Sequence, residues 1–502
     1  MGQTADKRES GGVRLCKNFD NFTKPSTLSP YRSIESAHVL QSTDKIKNFL
    51  TYNNKIYGLG ITGDAGDGYT KVFESGSITN PSWSGSASGV AASGGPDARL
   101  FVEYKGVIYG ATGSQYIWTY NIDSPAFNQT ARDLTSITHI AQGIVHSKDD
   151  ILYIPYDNKI AKNNNGSWTN SSLTLPSNLI ITAVCEYGNY LAIGCRPVHE
   201  YSNNSVVYLW DRDSSLATLS EKIDWGSGNL HILETIDGQL IGVSLVRGLS
   251  TFDNSIAPSR IVFSRYNGVG AVDFEELLLS ALSTGYNGSS TETARTHNLR
   301  HQQKYGNRIY FGVGGTSIGG STGDFAGVWS VGRNSENDPF SVIFERPVNN
   351  NTLIDSVIAF KFINEYLYCS YFLNDGTPGT GNQTYGMSKT NDNTTSFTAM
   401  SILETNINPN MDVKDKMKLK KLTAVSLTYE KLPTDAQVVL QYKKDGASSY
   451  TTIFTETTNN AVVTEKRVAL ASGRDYEFRI ESTGGAEITG FKYEYDVENS
   501  QI

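Results

Sequence analysis

Apolar residues in this chain come in short runs that alternate with polar ones, and the runs are paired around tight polar turns. A period of two places alternate side chains on opposite faces of an extended strand, so the pattern predicts strands rather than helices. The clearest unit is Tyr52-Asn53-Asn54-Lys55-Ile56-Tyr57-Gly58, in which two strand-like arms flank an Asn-Asn turn. Similar units start at Tyr104, Ser147, Tyr187, Ile236, Tyr305 and Ile363. Most carry Asn, Gly or Asp where a two-residue hairpin turn needs a positive φ.

Each hairpin is followed by a third run rich in Val, Ile and aromatics, such as Tyr116-Ile117-Trp118-Thr119-Tyr120, Val206-Val207-Tyr208-Leu209-Trp210 and Gly327-Val328-Trp329-Ser330-Val331. An Asx-rich turn then leads to an aromatic residue, as from Asp123 to Phe127, Asn165 to Trp168 and Asp392 to Phe397, and marks a fourth strand. A four-stranded meander recurring every roughly 40 to 60 residues is the signature of a β-propeller blade. One meander cannot bury both faces alone, so blades must stack around an axis until the last meets the first. The fold class expected is therefore all-β: a β-propeller of about seven four-stranded blades over residues 46–408.

Three stretches interrupt the repeat, near 245–258, 275–302 and 313–325, and the run from Glu275 to Leu282 has the composition for one or two helical turns. From about Asn410 the texture shifts. A lysine-rich stretch, Lys414 to Lys421, reads as a solvated linker or strand face, and alternating runs such as Val438-Val439-Leu440-Gln441-Tyr442 and Tyr476-Glu477-Phe478-Arg479-Ile480 follow. Residues 409–502 are expected to form a C-terminal β-sandwich used for docking. Residues 1–45 fit no blade: Gly12-Val13-Arg14-Leu15 is a candidate closing strand, and Leu28 to Ser33 reads as an extended arm.

Composition agrees with many short strands and narrows the chemistry. Only 19% of residues are charged, while Gly, Tyr, Asn, Ser and Thr are plentiful. The net charge of -8 gives no general reason to expect a phosphate backbone or an anionic membrane as partner. No apolar run is long enough to span a bilayer, so no membrane insertion is expected. Cys16, Cys185, Cys195 and Cys369 are scattered and read as small buried side chains.

The seven histidines form no metal-ligand spacing; His297 and His301 are four apart, but in a loop or strand context. No phosphate loop, nucleophile elbow or zinc-protease motif is present, so the reading names no catalytic residue, no metal site and no cofactor. The stretch Thr390-Asn391-Asp392-Asn393-Thr394-Thr395-Ser396-Phe397 resembles the Asp-box turn of sialidases, with Thr394 in place of its glycine. Tyr and Trp at hairpin spacing are expected in the core between blades rather than on a sugar-stacking surface.

The phrases Asn18-Phe19-Asp20, Pro30-Tyr31-Arg32-Ser33 and Lys55-Ile56-Tyr57-Gly58, with the run from Leu427 to Glu481, resemble propeller-bearing virion proteins of tailed bacteriophages. The resemblance implies a structural virion component of the tail or neck, similar to nozzle proteins. Its partners would be other virion proteins and copies of itself, with passive contact to exiting DNA. The alternative is a carbohydrate-binding or glycan-cleaving, sialidase-like propeller acting on a host glycan.

Overall fold

A computed structural model describes residues 13–17, 19–20, 28–39, 45–62, 69–75, 83–84, 89–91, 100–111, 115–198, 204–213, 221–249, 256–278, 302–313, 327–333, 340–346, 354–363, 366–374, 383–390, 401–406, 419–468, 470 and 472–498. Every regular element among them is a strand. The chain divides into two compact units, one of Ser36–Val328 and Val348–Lys389, the other of Met1–Glu35, Trp329–Pro347 and Thr390–Ile502.

The larger unit is a series of small antiparallel meanders. The first hairpin joins Lys45–Tyr52 to Lys55–Thr62 and continues into Tyr69–Ser75 and Trp83–Ser84. Its turn residues Asn53 and Asn54 have φ of 46° and 61°, the left-handed pair that a two-residue hairpin needs. Four further sheets each use four consecutive strands, over residues 101–133, 144–174, 179–227 and 229–278. Gln302–Tyr305 and Arg308–Val313 form the sixth hairpin, and Ile354–Ile363 with Tyr366–Asn374 the seventh.

Apolar clusters bind each meander to the next. Tyr57 and Leu59 pack with Ile108 and Trp118, Tyr104 and Ala111 with Leu152 and Tyr156, Tyr153 and Ile160 with Ile193 and Trp210, and Val207 and Trp225 with Leu233 and Leu240. Phe263 reaches Phe311 with ring centroids 5.6 Å apart, and Tyr310 packs with Phe360. The series then returns to its start, where Ile363 and Tyr368 share a cluster with Ile46 and Ile56. A cycle of four-stranded antiparallel sheets packed face to face is a β-propeller. As expected from their spacing, several tryptophans and tyrosines lie between sheets: Trp118, Trp210, Trp225, Tyr57, Tyr153 and Tyr368 are all buried.

Several expectations are corrected. The strand that joins the seventh hairpin and Gln383–Thr390 is Ile34–Val39. Val13–Lys17, the candidate closing strand, pairs instead with Ser401–Asn406 and, in parallel, with Ser341–Arg346. Glu275 to Leu278 is no helical turn but the end of strand Ala271–Leu278, and the rest of that run lies outside the described residues. The break near 245–258 is mainly an extension of one hairpin, in which Gln239–Leu249 pairs with Ile256–Tyr266.

In the smaller unit, Ser341–Arg346, Val13–Lys17, Ser401–Asn406, Tyr476–Thr483, Gln437–Lys444 and Thr451–Glu456 lie side by side in that order. Ser401–Asn406, counted with the propeller by sequence, is thus paired to the C-terminal strands. A second sheet sets Leu419–Tyr429 between Val463–Arg467 and Ile488–Glu498. One core joins the two sheets through Leu427, Tyr429, Leu440, Phe478 and Ile480. Lys420 departs from the solvated reading of the lysine stretch: it is fully buried, and its ammonium donates to the Arg474 carbonyl at 2.7 Å.

Candidate functional site

Alternation along three strands of the smaller unit builds a charged surface. Phe478 and Ile480 point into the core, so Glu477, Arg479 and Glu481 take the other face. The register sets Arg479 opposite both Glu404 and Gln441, and Glu477 opposite Lys443. Residues 404, 441 and 479 thus form one cross-strand row although they are far apart in sequence.

Arg479 donates to Glu404 Oε1 from Nε at 2.8 Å and from Nη2 at 2.5 Å. The Glu404 carboxylate is only 8% exposed, a setting in which an ion needs its partner. The guanidinium carbon also lies 4.1 Å from the centroid of the Tyr450 ring, and Lys443 Nζ lies 5.0 Å from it. Lys443 is itself paired with Glu477 at 2.8 Å. A shallow polar depression of about 440 Å³ opens over this row, bounded by Glu481 on one strand and by Ser448 and Ser449 in the loop that carries Tyr450.

A second convergence lies in the propeller. The Tyr153 hydroxyl donates to Asp149 Oδ2 at 2.9 Å, and Arg212 Nε donates to the same oxygen at 2.9 Å. His146 Nδ1 accepts the Lys148 backbone N–H at 3.3 Å and faces Asp149 Oδ1 at 3.7 Å. Burial, and then the nearby Arg212 charge, push the His146 pKa down. Burial, and then the hydrogen bond to Asp149, push the Tyr153 hydroxyl well above its ordinary range. Ser147 donates to Glu186 through its hydroxyl at 2.7 Å, so the whole turn ties one sheet to the next. Tyrosine, arginine and carboxylate do meet here, but Tyr153 is 1% exposed and holds its proton. An external substrate cannot reach it as a nucleophile.

The reading of the sequence named no site residue, and the row at Arg479 was missed because its members are separated by tens of residues. Strand alternation was the only available signal, and it marks a wet face without saying which strands meet. His199, His297, His301 and the Asp392 to Phe397 turn lie outside the described residues. Cys185, Cys195 and Cys369 are buried, and burial raises the Cys185 thiol well above its usual range. Among the described residues no three His, Cys, Asp or Glu side chains are placed to hold a metal ion.

No family model and no curated protein matches the chain. Among solved structures it is similar to the Neurospora crassa Pan2 WD40 domain, at 10% identity over 76% of this chain and 100% of that one, with a TM-score of 0.40. The Myceliophteria thermophila Cps50 (Swd1) β-propeller domain is similar at 7% identity over 69% and 99%, with a TM-score of 0.37. An exo-β-1,3-galactanase from Phanerochaete chrysosporium is similar at 8% identity over 80% and 97%, with a TM-score of 0.28. These likenesses concern architecture; the identities are too low to transfer chemistry.

Proposed function

We propose that this protein is a non-enzymatic structural component of a bacteriophage virion, in the tail or neck, where it serves as a platform for protein–protein assembly. In this reading the meanders are the blades of a seven-bladed propeller closed by Ile34–Val39, and the C-terminal strands are a β-sandwich that docks on neighbours. The observation that carries the non-enzymatic part is the Tyr153–Asp149–Arg212 network. Side chains of the kind a glycosidase exposes are here consumed in fastening sheet to sheet. The virion assignment is supported by the resemblance at Asn18 to Asp20 and Pro30 to Ser33, and the acidic balance suits a DNA path that does not grip.

Light scattering and negative-stain imaging of the purified chain, beside a version lacking residues 1–45, test the proposal. A multi-copy or ring-shaped particle that dissociates on truncation supports it. A monomer unaffected by truncation removes the assembly role.

The polar depression at Tyr450 favours the second reading, a glycan-binding propeller protein, because it gathers acids, amide and hydroxyls in one place. Against it, the Tyr450 ring is already engaged by Arg479 and Lys443. Binding or hydrolysis of host glycans, abolished by Glu404→Gln or Glu481→Gln, would decide for it.

A further inference from the structure

We propose that the depression beside Tyr450 receives a lysine or arginine side chain from a partner protein, an inference that rests on the docking role assigned above to the smaller unit. Arg479 gives two hydrogen bonds to Glu404, and Lys443 pairs with Glu477. Glu481 shares Arg479 with Glu404 and makes only the longer ion pair to it. Its Oε1 lies 3.7 Å from Arg479 Nη1, beyond hydrogen-bond length, and its side chain is 19% exposed. Among the described residues, no donor within hydrogen-bond reach serves its carboxylate.

The surroundings reinforce that excess of negative charge. Gln441, in the lining, has its Oε1 buried without a hydrogen-bond donor among the described residues. Ser448 and Ser449 supply hydroxyls at the rim. The lining is nearly all polar, so apolar burial cannot drive binding, and an occupant must gain through charge and hydrogen bonds. A carboxylate or phosphate would meet Glu481 while Arg479 and Lys443 are already paired to Glu404 and Glu477. A guanidinium or ammonium meets an underused carboxylate at the surface, where it can keep part of its hydration.

The probe is a fluorescent peptide, acetyl-Gly-Ser-Arg-Ser-Gly-amide, compared with the same peptide carrying citrulline, which keeps the shape and removes the charge. Anisotropy with the full chain should show weak binding of the arginine peptide, with a Kd on the order of 1 mM. The citrulline peptide and the Glu481→Gln variant should each weaken it by about tenfold or more, and raising salt should weaken it further. If Glu481→Gln fails to fold, Ser448→Trp, which fills the depression from an exposed loop position, must give the same loss. Equal binding of both peptides, no binding of the arginine peptide, or a neutral oligosaccharide that competes for the site would each overturn the proposal. None of these outcomes bears on particle mass or symmetry, so the assembly role stands or falls separately.

Discussion

Close packing depends on single glycines set against large side chains, across one sheet at Gly110 and between sheets at Gly242. A Cβ built on Gly242 would meet Trp225 Nε1 at 2.5 Å, and one on Gly110 would meet Trp118 Cζ2 at 2.0 Å. Both glycines lie on the second strand of a hairpin, where the sequence shows only an apolar run, so their role was illegible before the neighbouring aromatic was placed. Gly242→Val should therefore destabilise by about 1–3 kcal/mol through overpacking, measured by urea unfolding, whereas Gly238→Ala at the adjacent turn meets no neighbour and loses only left-handed φ freedom. His146 allows a prediction in pH. Its folded pKa is depressed, so the unfolded chain binds the proton more readily and the native state is favoured while the ring is neutral. That contribution is complete above the ordinary histidine value and fades as pH falls below it. Urea midpoints measured from pH 7.5 to pH 5 should fall for the wild type and fall less for His146→Gln.

Hairpins are the elements best legible in the sequence because turn chemistry is local. Asp237 and Gly238, at φ of 46° and 72°, do what an Asp-Gly pair between apolar arms announces. Strand ends were less legible: Glu275 to Leu278 carries a helix-like composition, but pairing with Arg260 to Phe263 decides for extended backbone. Edges are managed by specific charges. Among the described residues, Val463–Arg467 is paired only to Leu419–Tyr429, and Val462 and Val463 stand exposed at its start. Lys466 Nζ donates to the Ile453 carbonyl at 2.7 Å, laying a cation between this edge and a strand of the other sheet. An edge so guarded resists pairing with another chain. Lys466→Met should cost about 1 kcal/mol and raise concentration-dependent association, read by sedimentation of the full chain.

At the scale of the molecule, the chain returns to its beginning to complete a sheet. Ile34–Val39 lies beside Gln383–Thr390, and the sheet they share packs on Lys45–Tyr52 through Ile46, Ile363 and Tyr368. That a ring must close follows from the repeat, but which N-terminal segment closes it does not. Val13 to Leu15 and Ile34 to Val39 are both short and strand-forming, and only tertiary pairing separates them. Because the closing strand lies far in sequence from its partner, its ordering carries a large loop-entropy cost and belongs late in folding. A chain with Ser36→Pro and His38→Pro, which leaves Val13–Lys17 in its own sheet, is thus expected to keep its internal meanders while exposing the edge of Gln383–Thr390. Calorimetry should then show a transition lowered by about 5 °C or more, and a synthetic peptide of residues 30–43 added in trans should recover part of the loss. Recovery would follow from a preformed groove waiting for one strand. An unchanged transition would mean that the ring is held by sheet-to-sheet packing alone, with the strand contributing nothing to its closure.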